Sequence, residues 1–288
     1  MIRSLAPLGL AAALLALPAL AKDRDFDDFK GCSDIGIRFD DAEMARAEEK
    51  VSVSGKTHRL TIDPRERGGI SVRGWDRGDW DVTVCKVASG DTQAEADALL
   101  SRVNATITSD TLRADGPSED GWTVFFLVRA PKGAELDLEI ANGPVSVSDF
   151  SGKVSIHAEN GPVTARGVSG ELDIDASNGP VTLAGNSGRV DVKAQNGPLN
   201  LVLDGSRWDG SGLNARAQNG PVTVRVPDGY SSGVKVTASD HSPFRCRAEG
   251  CGNVERERGK KVVELGSGHT LVNVSTSNGP VVISNSRS

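Results

Sequence analysis

Large rings are scarce in this sequence. Aromatic residues make up 4% of 288 positions, and tyrosine occurs once. So few bulky side chains cannot fill a wide globular core, whereas 33 glycines provide for many tight turns closed over small or β-branched filling. Positive charge is not in excess either. The formal net charge is −6, which gives no overall electrostatic footprint for nucleic acid or an anionic lipid surface. Past residue 21 no apolar run reaches the ~20 residues of a membrane-spanning helix. The phosphate-cradling G-x-x-x-x-G-K-[ST] and the zinc-holding H-E-x-x-H are both missing. His58, His157, His241 and His269 have no metal-ligand spacing. No cofactor is expected.

Residues 1–21 read as a cleaved targeting segment. Arg3 gives a positive start, Leu5 to Leu20 is uncharged and apolar, and Ala19-Leu20-Ala21 is the small-x-small pattern that signal peptidase cuts after. Pro7, Gly9 and Pro18 interrupt the run. Cleavage removes Arg3 and no acid, so the net charge of the mature chain becomes −7. Cys32 is the first cysteine and stands eleven residues past the cut, so no lipid anchor is expected. The mature chain is expected in the periplasm or outside the cell.

Four cysteines suit such an oxidising compartment. Three pairings are possible, and we favour Cys32 with Cys85 and Cys246 with Cys251. A zinc site made from all four would need two paired-cysteine knuckles, and Cys32 and Cys85 form none.

What the sequence has in abundance is a repeat. Asn-Gly-Pro begins at Asn142, Asn160, Asn178, Asn196, Asn219 and Asn278, with Gly143, Gly161, Gly179, Gly197, Gly220 and Gly279 following. The first three intervals are 18 residues, the next 23 and 59. Ser151-Gly152, Ser169-Gly170 and Ser187-Gly188 halve the unit into nines. After each glycine, apolar residues stand two and four places on, as in Val163 and Ala165 or Leu172 and Ile174. Period-two alternation puts them on one face of a short strand. A two-strand coil cannot bury that face alone, but stacked coils share a continuous narrow core. The expected fold is therefore all-β, a two-sided β-solenoid of about 18 residues per coil. Ala158, Ala176 and Ala194 would stack at one inner corner. The asparagines, stacked at the same period, would form a structural turn ladder rather than a ligand-binding row. Calcium-binding β-rolls have a similar period, but their turns carry G-G-x-G-x-D, and these turns have no aspartate at the ligand position.

Elsewhere the pattern loosens. Residues 22–133 read as an irregular β region and 134–288 as the regular solenoid with an insertion at 240–266. Asp91 to Asn104 is the one helix, capped by Asp91 and striped by Ala94, Ala98, Leu99 and Val103. Thr106 to Ala114 and Trp122 to Ala130 read as a strand pair across the polar loop 116–121. A first insertion, between Leu203 and Gly212, carries Trp208. The second encloses Cys246 and Cys251. Trp208, Arg245, Arg247, Arg256 and Arg258 are the candidate binding residues, because insertions in repeat proteins form loops and loops carry function; the other reading of 240–266, which we favour, is a disulfide-closed hairpin that covers a solenoid edge.

The Asn-Gly-Pro-Val and Ser-Gly-x-Val turns, the Gly69–Trp75 segment Gly-Ile-Ser-Val-Arg-Gly-Trp, the short helix and Ala130-Pro131-Lys132-Gly133 together resemble the bacterial β-strand-repeat family called "putative adhesin". That resemblance covers most of residues 50–285. It implies the solenoid, but no catalytic residue and no named partner. The expected role is a non-catalytic, adhesin-like binder or envelope scaffold, with an envelope protein or glycan as partner, no nucleic acid and no membrane span. The alternative is a polysaccharide-cleaving β-helix enzyme, since coils would stack Asp173 over Asp191 with Asp175 beside Lys193. An ice-binding face of Thr164, Thr182 and Thr223 is weaker, because Ser146 and Asn200 break the row.

Overall fold

The computed structural model describes residues 31–37, 42–118 and 120–286. The targeting segment expected at 1–21 lies outside the described residues. Each 18-residue unit forms one coil of two strands. The longer strands, such as Lys153–Asn160, Glu171–Asn178 and Ser187–Asn196, belong to a 12-stranded sheet. The shorter ones, such as Val145–Ser148, Val163–Arg166, Val181–Gly185 and Leu199–Leu203, belong to an 11-stranded sheet. Equivalent residues pair without slippage, Val154 with Leu172 and Leu172 with Val190 in the first sheet, Val163 with Val181 in the second. The two sheets face each other across one continuous core.

The period-two pattern explains that core. Val154, Ile156, Leu172 and Ile174 meet Val163, Ala165, Val181 and Leu183, all of them buried. Ala158, Ala176 and Ala194 line one inner corner in register. At that corner the chain reverses through Gly161, Gly179 and Gly197, with φ of 134°, 132° and 144°. A Cβ on Gly179 would meet the carbonyl oxygen of Gly161 one coil below, and the same collision repeats at Gly161 and Gly197. Only glycine satisfies both the positive φ and the close approach.

The 11-stranded and 12-stranded sheets continue across position 133. The coil made by Arg59–Asp63 and Gly68–Trp75 stacks on the coil made by Glu135–Asn142 and Val145–Ser148. The intervening Thr111–Asp115 and Trp122–Pro131 stack on its other side. Chain order and spatial order therefore differ: the first coil is enclosed between the second and the third. The far end repeats the arrangement in reverse. Asp209–Asn219 and Val222–Val226 are followed in the chain by Gly233–Ser239 and Phe244–Cys246, but Thr270–Asn278 and Val281–Asn285 lie between them. The segment 240–266 supplies edge strands, including the antiparallel hairpin Glu255–Glu257 with Lys260–Leu265.

Three local expectations change. Thr111–Asp115 pairs with Asn104–Thr108, not with Trp122–Pro131, which belongs to the other sheet. The loop 116–121 is thus a solenoid corner rather than a hairpin turn. The helix is Gln93–Leu100, and its cap is Thr92 rather than Asp91. Thr92 Oγ1 accepts from Glu95 N at 3.3 Å and Thr92 N donates to Glu95 Oε2 at 3.1 Å, a reciprocal capping box. With that start Ala96 and Leu99 become the buried pair, and Ala94 and Ala98 face out. Gly90 makes the docking possible, since a Cβ there would meet Ala96 N.

Candidate binding surfaces

The asparagines form a ladder. Asn160, Asn178, Asn196, Asn219 and Asn278 each donate Nδ2 to Oδ1 of the preceding rung, at 3.2, 3.0, 3.1, 3.0 and 3.1 Å. Asn142 closes the row by donating to the Glu66 carbonyl at 2.7 Å. Every amide points the same way. These amides are spent on one another, which is what a turn ladder requires.

The outer face of the 12-stranded sheet is strongly charged. Across the strands one row runs Arg59, Glu135, Lys153, Glu171, Arg189, alternating in sign. Arg59 bonds Asp137 at 3.1 Å, and its pKa is raised first by that hydrogen bond and then by Glu135. Lys153 stands 3.4 Å from Glu135. Asp173 and Asp191 are register neighbours, as the enzyme alternative requires. Arg189 forks between them, however, at 2.8 Å from Asp173 and 2.6 Å from Asp191. The three side chains form one ion-pair network on the surface. His157 and Lys193 border the same shallow groove. Among the described residues no cluster of His, Cys, Asp and Glu could hold a metal.

The outer face of the 11-stranded sheet differs in kind. One row is Ser146, Thr164, Thr182, Asn200, Thr223 and Val282. Beside it lie Pro144, Pro162, Pro180, Pro198, Pro221 and Pro280, whose carbonyls accept from the strand of the adjacent coil; Val145 N bonds Pro162 O at 2.9 Å, for example. Pro243 continues this row without an Asn-Gly before it. A third row contains Arg129, Arg73, Ser148, Arg166, Ala184, Val202, Arg225 and Ser284.

The five candidate binding residues separate. Arg245 lies on the edge strand Phe244–Cys246 beside Val282, and Arg247 N bonds Ile283 O at 2.8 Å, so both border the outer face of this sheet and are exposed. Arg256 lies on the hairpin of the other sheet and pairs with Asp240 at 2.9 Å, and Arg258 occupies its turn with φ 50°. Trp208 is a correction. It is 4% exposed, its Nε1 donates to Gly188 O at 3.0 Å, and it fills the core beneath the first insertion. The motif reading also passes over Gly229-Tyr230-Ser231-Ser232-Gly233, which has the spacing of a nucleophile elbow. Here no helix follows, Ser231 Oγ donates to Ser206 O at 3.0 Å and Ser232 Oγ accepts from Trp208 N at 2.9 Å. Both hydroxyls serve the fold.

Disulfides join Cys32 to Cys85 and Cys246 to Cys251. Cys85 is on the second strand of the 11-stranded sheet and Cys246 on the last, so a bond secures each end. Among the described residues no helix is long and apolar enough to cross a membrane. Stacked parallel coils with glycine corners, an asparagine ladder and disulfide-secured ends define a β-solenoid of an oxidising, extracytoplasmic compartment. The profile of the family described as Toastrack DUF4097 matches residues 68–284, and the chain belongs to that family. No curated protein matches it. Among solved structures it is similar to a "putative cell adhesion protein" from Clostridium sporogenes, with 12% identity, 84% of this chain and 100% of that one covered, and a TM-score of 0.36. It is also similar to a "putative adhesin" from Parabacteroides distasonis, with 10% identity, 83% and 97% covered and a TM-score of 0.34. A "putative lipid binding protein" from the same species has 10% identity, 85% and 97% covered and a TM-score of 0.27.

Proposed function

We propose that the chain is an exported, non-catalytic solenoid that binds an envelope protein or glycan, or serves as a scaffold for one. In this reading residues 1–21 are removed and the mature chain works in the periplasm or outside the cell. One observation supports the binding role above others: eight successive parallel strands present an open outer face, from Gly68–Trp75 to Phe244–Cys246, next to Trp122–Pro131, whose Phe125 and Leu127 are packed against Cys32 and Ile35. The stacked glycine corners hold that face rigid, so little conformational entropy is lost when a partner lies along it. The test is co-sedimentation of the mature chain with envelope fractions and purified cell-wall glycan, with the supernatant assayed for released sugar. Retention without sugar release is expected. Released sugar would overturn the non-catalytic assignment, and no retention on any fraction would count against adhesion.

A further inference from the structure

The net charge of −6 hides a division between the two exteriors. Acids gather on the outer face of the 12-stranded sheet, where Glu135, Asp137, Glu171, Asp173, Asp175 and Asp191 stand. On the other side, none of the outward positions in the nine parallel strands from Trp122–Pro131 to Phe244–Cys246 is Asp or Glu. Arginine occupies six places there: Arg129, Arg73, Arg166 and Arg225 in one row, Arg247 at its end and Arg245 in the row beside it. Arg73 is engaged by Asp149 at the corner, at 3.2 Å, and Arg129 stands across from Asp81. Arg225, Arg245 and Arg247 are exposed, and among the described residues no carboxylate lies within ion-pair distance of them.

We propose that this face binds a linear, carboxylate-bearing glycan laid across the strands, along the solenoid axis. The argument rests on the binding role above and adds the class of ligand. Three kinds of contact run side by side in the direction such a chain would take. Arginines hold carboxylates by paired N–H donors. The Ser146, Thr164, Thr182, Asn200 and Thr223 row offers hydroxyls and an amide to sugar hydroxyls. The proline row gives apolar rings against which a pyranose can rest. From Arg129 to Arg247 is eight strand steps, roughly 38 Å at the usual strand spacing, long enough for an extended oligosaccharide. A linear glycan repeats close to the strand spacing, so sugar after sugar meets the same three rows. The acidic opposite face repels the same polymer and leaves one side to bind it.

The test measures retention of the full mature chain on polygalacturonate at low and high ionic strength, with dextran as the neutral glycan and duplex DNA as the non-sugar polyanion. Wild type is expected to bind polygalacturonate in a salt-weakened manner and to ignore dextran. R225A/R245A/R247A should weaken binding tenfold or more, while K193A/R216A on the other sheet should not. Unchanged urea midpoints for both variants show that the fold is intact. Absence of polygalacturonate binding at low salt, an unaltered affinity in the triple arginine variant, or equal binding of duplex DNA would each overturn the inference. Retention on envelope fractions without polygalacturonate binding would sink this inference alone. Failure on both would sink the binding role as well.

Discussion

At the scale of single residues the corners are the strictest positions. Gly179 has φ 132°, and a Cβ there would strike the backbone of Gly161. Gly133 has φ 87° but nothing within 4 Å of an added Cβ. G179A should therefore lose about 3–4 kcal/mol, from backbone strain and overpacking together, and G133A about 1–2 kcal/mol from its dihedral alone. Urea midpoints of the two variants check the difference; equal losses would contradict the stacking argument. A second residue-scale expectation concerns Tyr230, the one tyrosine. It is 7% exposed and its hydroxyl finds no hydrogen-bond partner among the described residues. Burial first, and then Asp204, pushes its pKa up to about 12. The folded state thus disfavours tyrosinate, so this group's contribution to stability is full below the unfolded value of about 10 and is lost as pH rises toward 12. Ultraviolet difference spectra should show tyrosinate forming near pH 12 in the folded chain and near 10 in urea. The asparagine rungs were legible in the sequence because the same Asn-Gly-Pro triplet marks each one, the first four at a fixed period. Trp208 was not, because a lone aromatic within polar neighbours gives no period by which to tell core from surface.

At the scale of elements, parallel in-register stacking sets like positions on like. A repeat with a charge at one outward place would repel itself, and the row Arg59, Glu135, Lys153, Glu171, Arg189 avoids this by alternating sign. K153E would set a third carboxylate between Glu135 and Glu171. The expected loss is about 1 kcal/mol at low salt, since like charges directly opposite destabilise a sheet by amounts of that order, and it should nearly vanish in ~1 M salt, where screening acts within ~3 Å. A loss insensitive to salt would show that packing of the lysine stem, not charge, is responsible. The regular strands were visible in the sequence because each carries its own alternation. The partners of Thr111–Asp115 and Trp122–Pro131 were not, because a polar loop of the same length can close a hairpin or turn a solenoid corner. What decides is the distant Arg59–Asp63 and Gly68–Trp75 coil on which both segments stack. The helix cap failed for a smaller reason: Asp91 and Thr92 both suit the position, and only Thr92 has Glu95 three residues on.

At the scale of the molecule, neither terminal coil lies at an end. The coil from 59 to 75 is enclosed at one end of the stack and the coil from 270 to 285 at the other. The period of the repeat announces a stack but says nothing about this order, since a 59-residue interval fits an insertion and an enclosed last coil equally well. The consequence is mechanical. In a simple solenoid each coil touches only its neighbours, so losing the last one removes one interface. Here Thr270–Asn278 joins Asp209–Asn219 to Gly233–Ser239, and Val281–Asn285 joins Val222–Val226 to Phe244–Cys246. Ending the chain at His269 would strip both outer strands of their parallel partner and leave Val224, Val236 and Leu213, all fully buried in the intact chain, facing a gap. Removing Glu171 to Gly188 instead excises one 18-residue coil in phase and joins equivalent positions. Like the loss of any one coil it removes one interface, and it adds a like-charge contact of Lys153 with Arg189, under about 1 kcal/mol at the surface. The internal deletion should therefore unfold cooperatively with a modestly lowered midpoint. The terminal truncation, of similar length, should lose protection from hydrogen exchange throughout 209–269 and aggregate. If the truncated chain instead kept a sharp transition near that of the full chain, the last coil would be an ordinary end repeat, and its enclosed position would carry none of the stability assigned to it here.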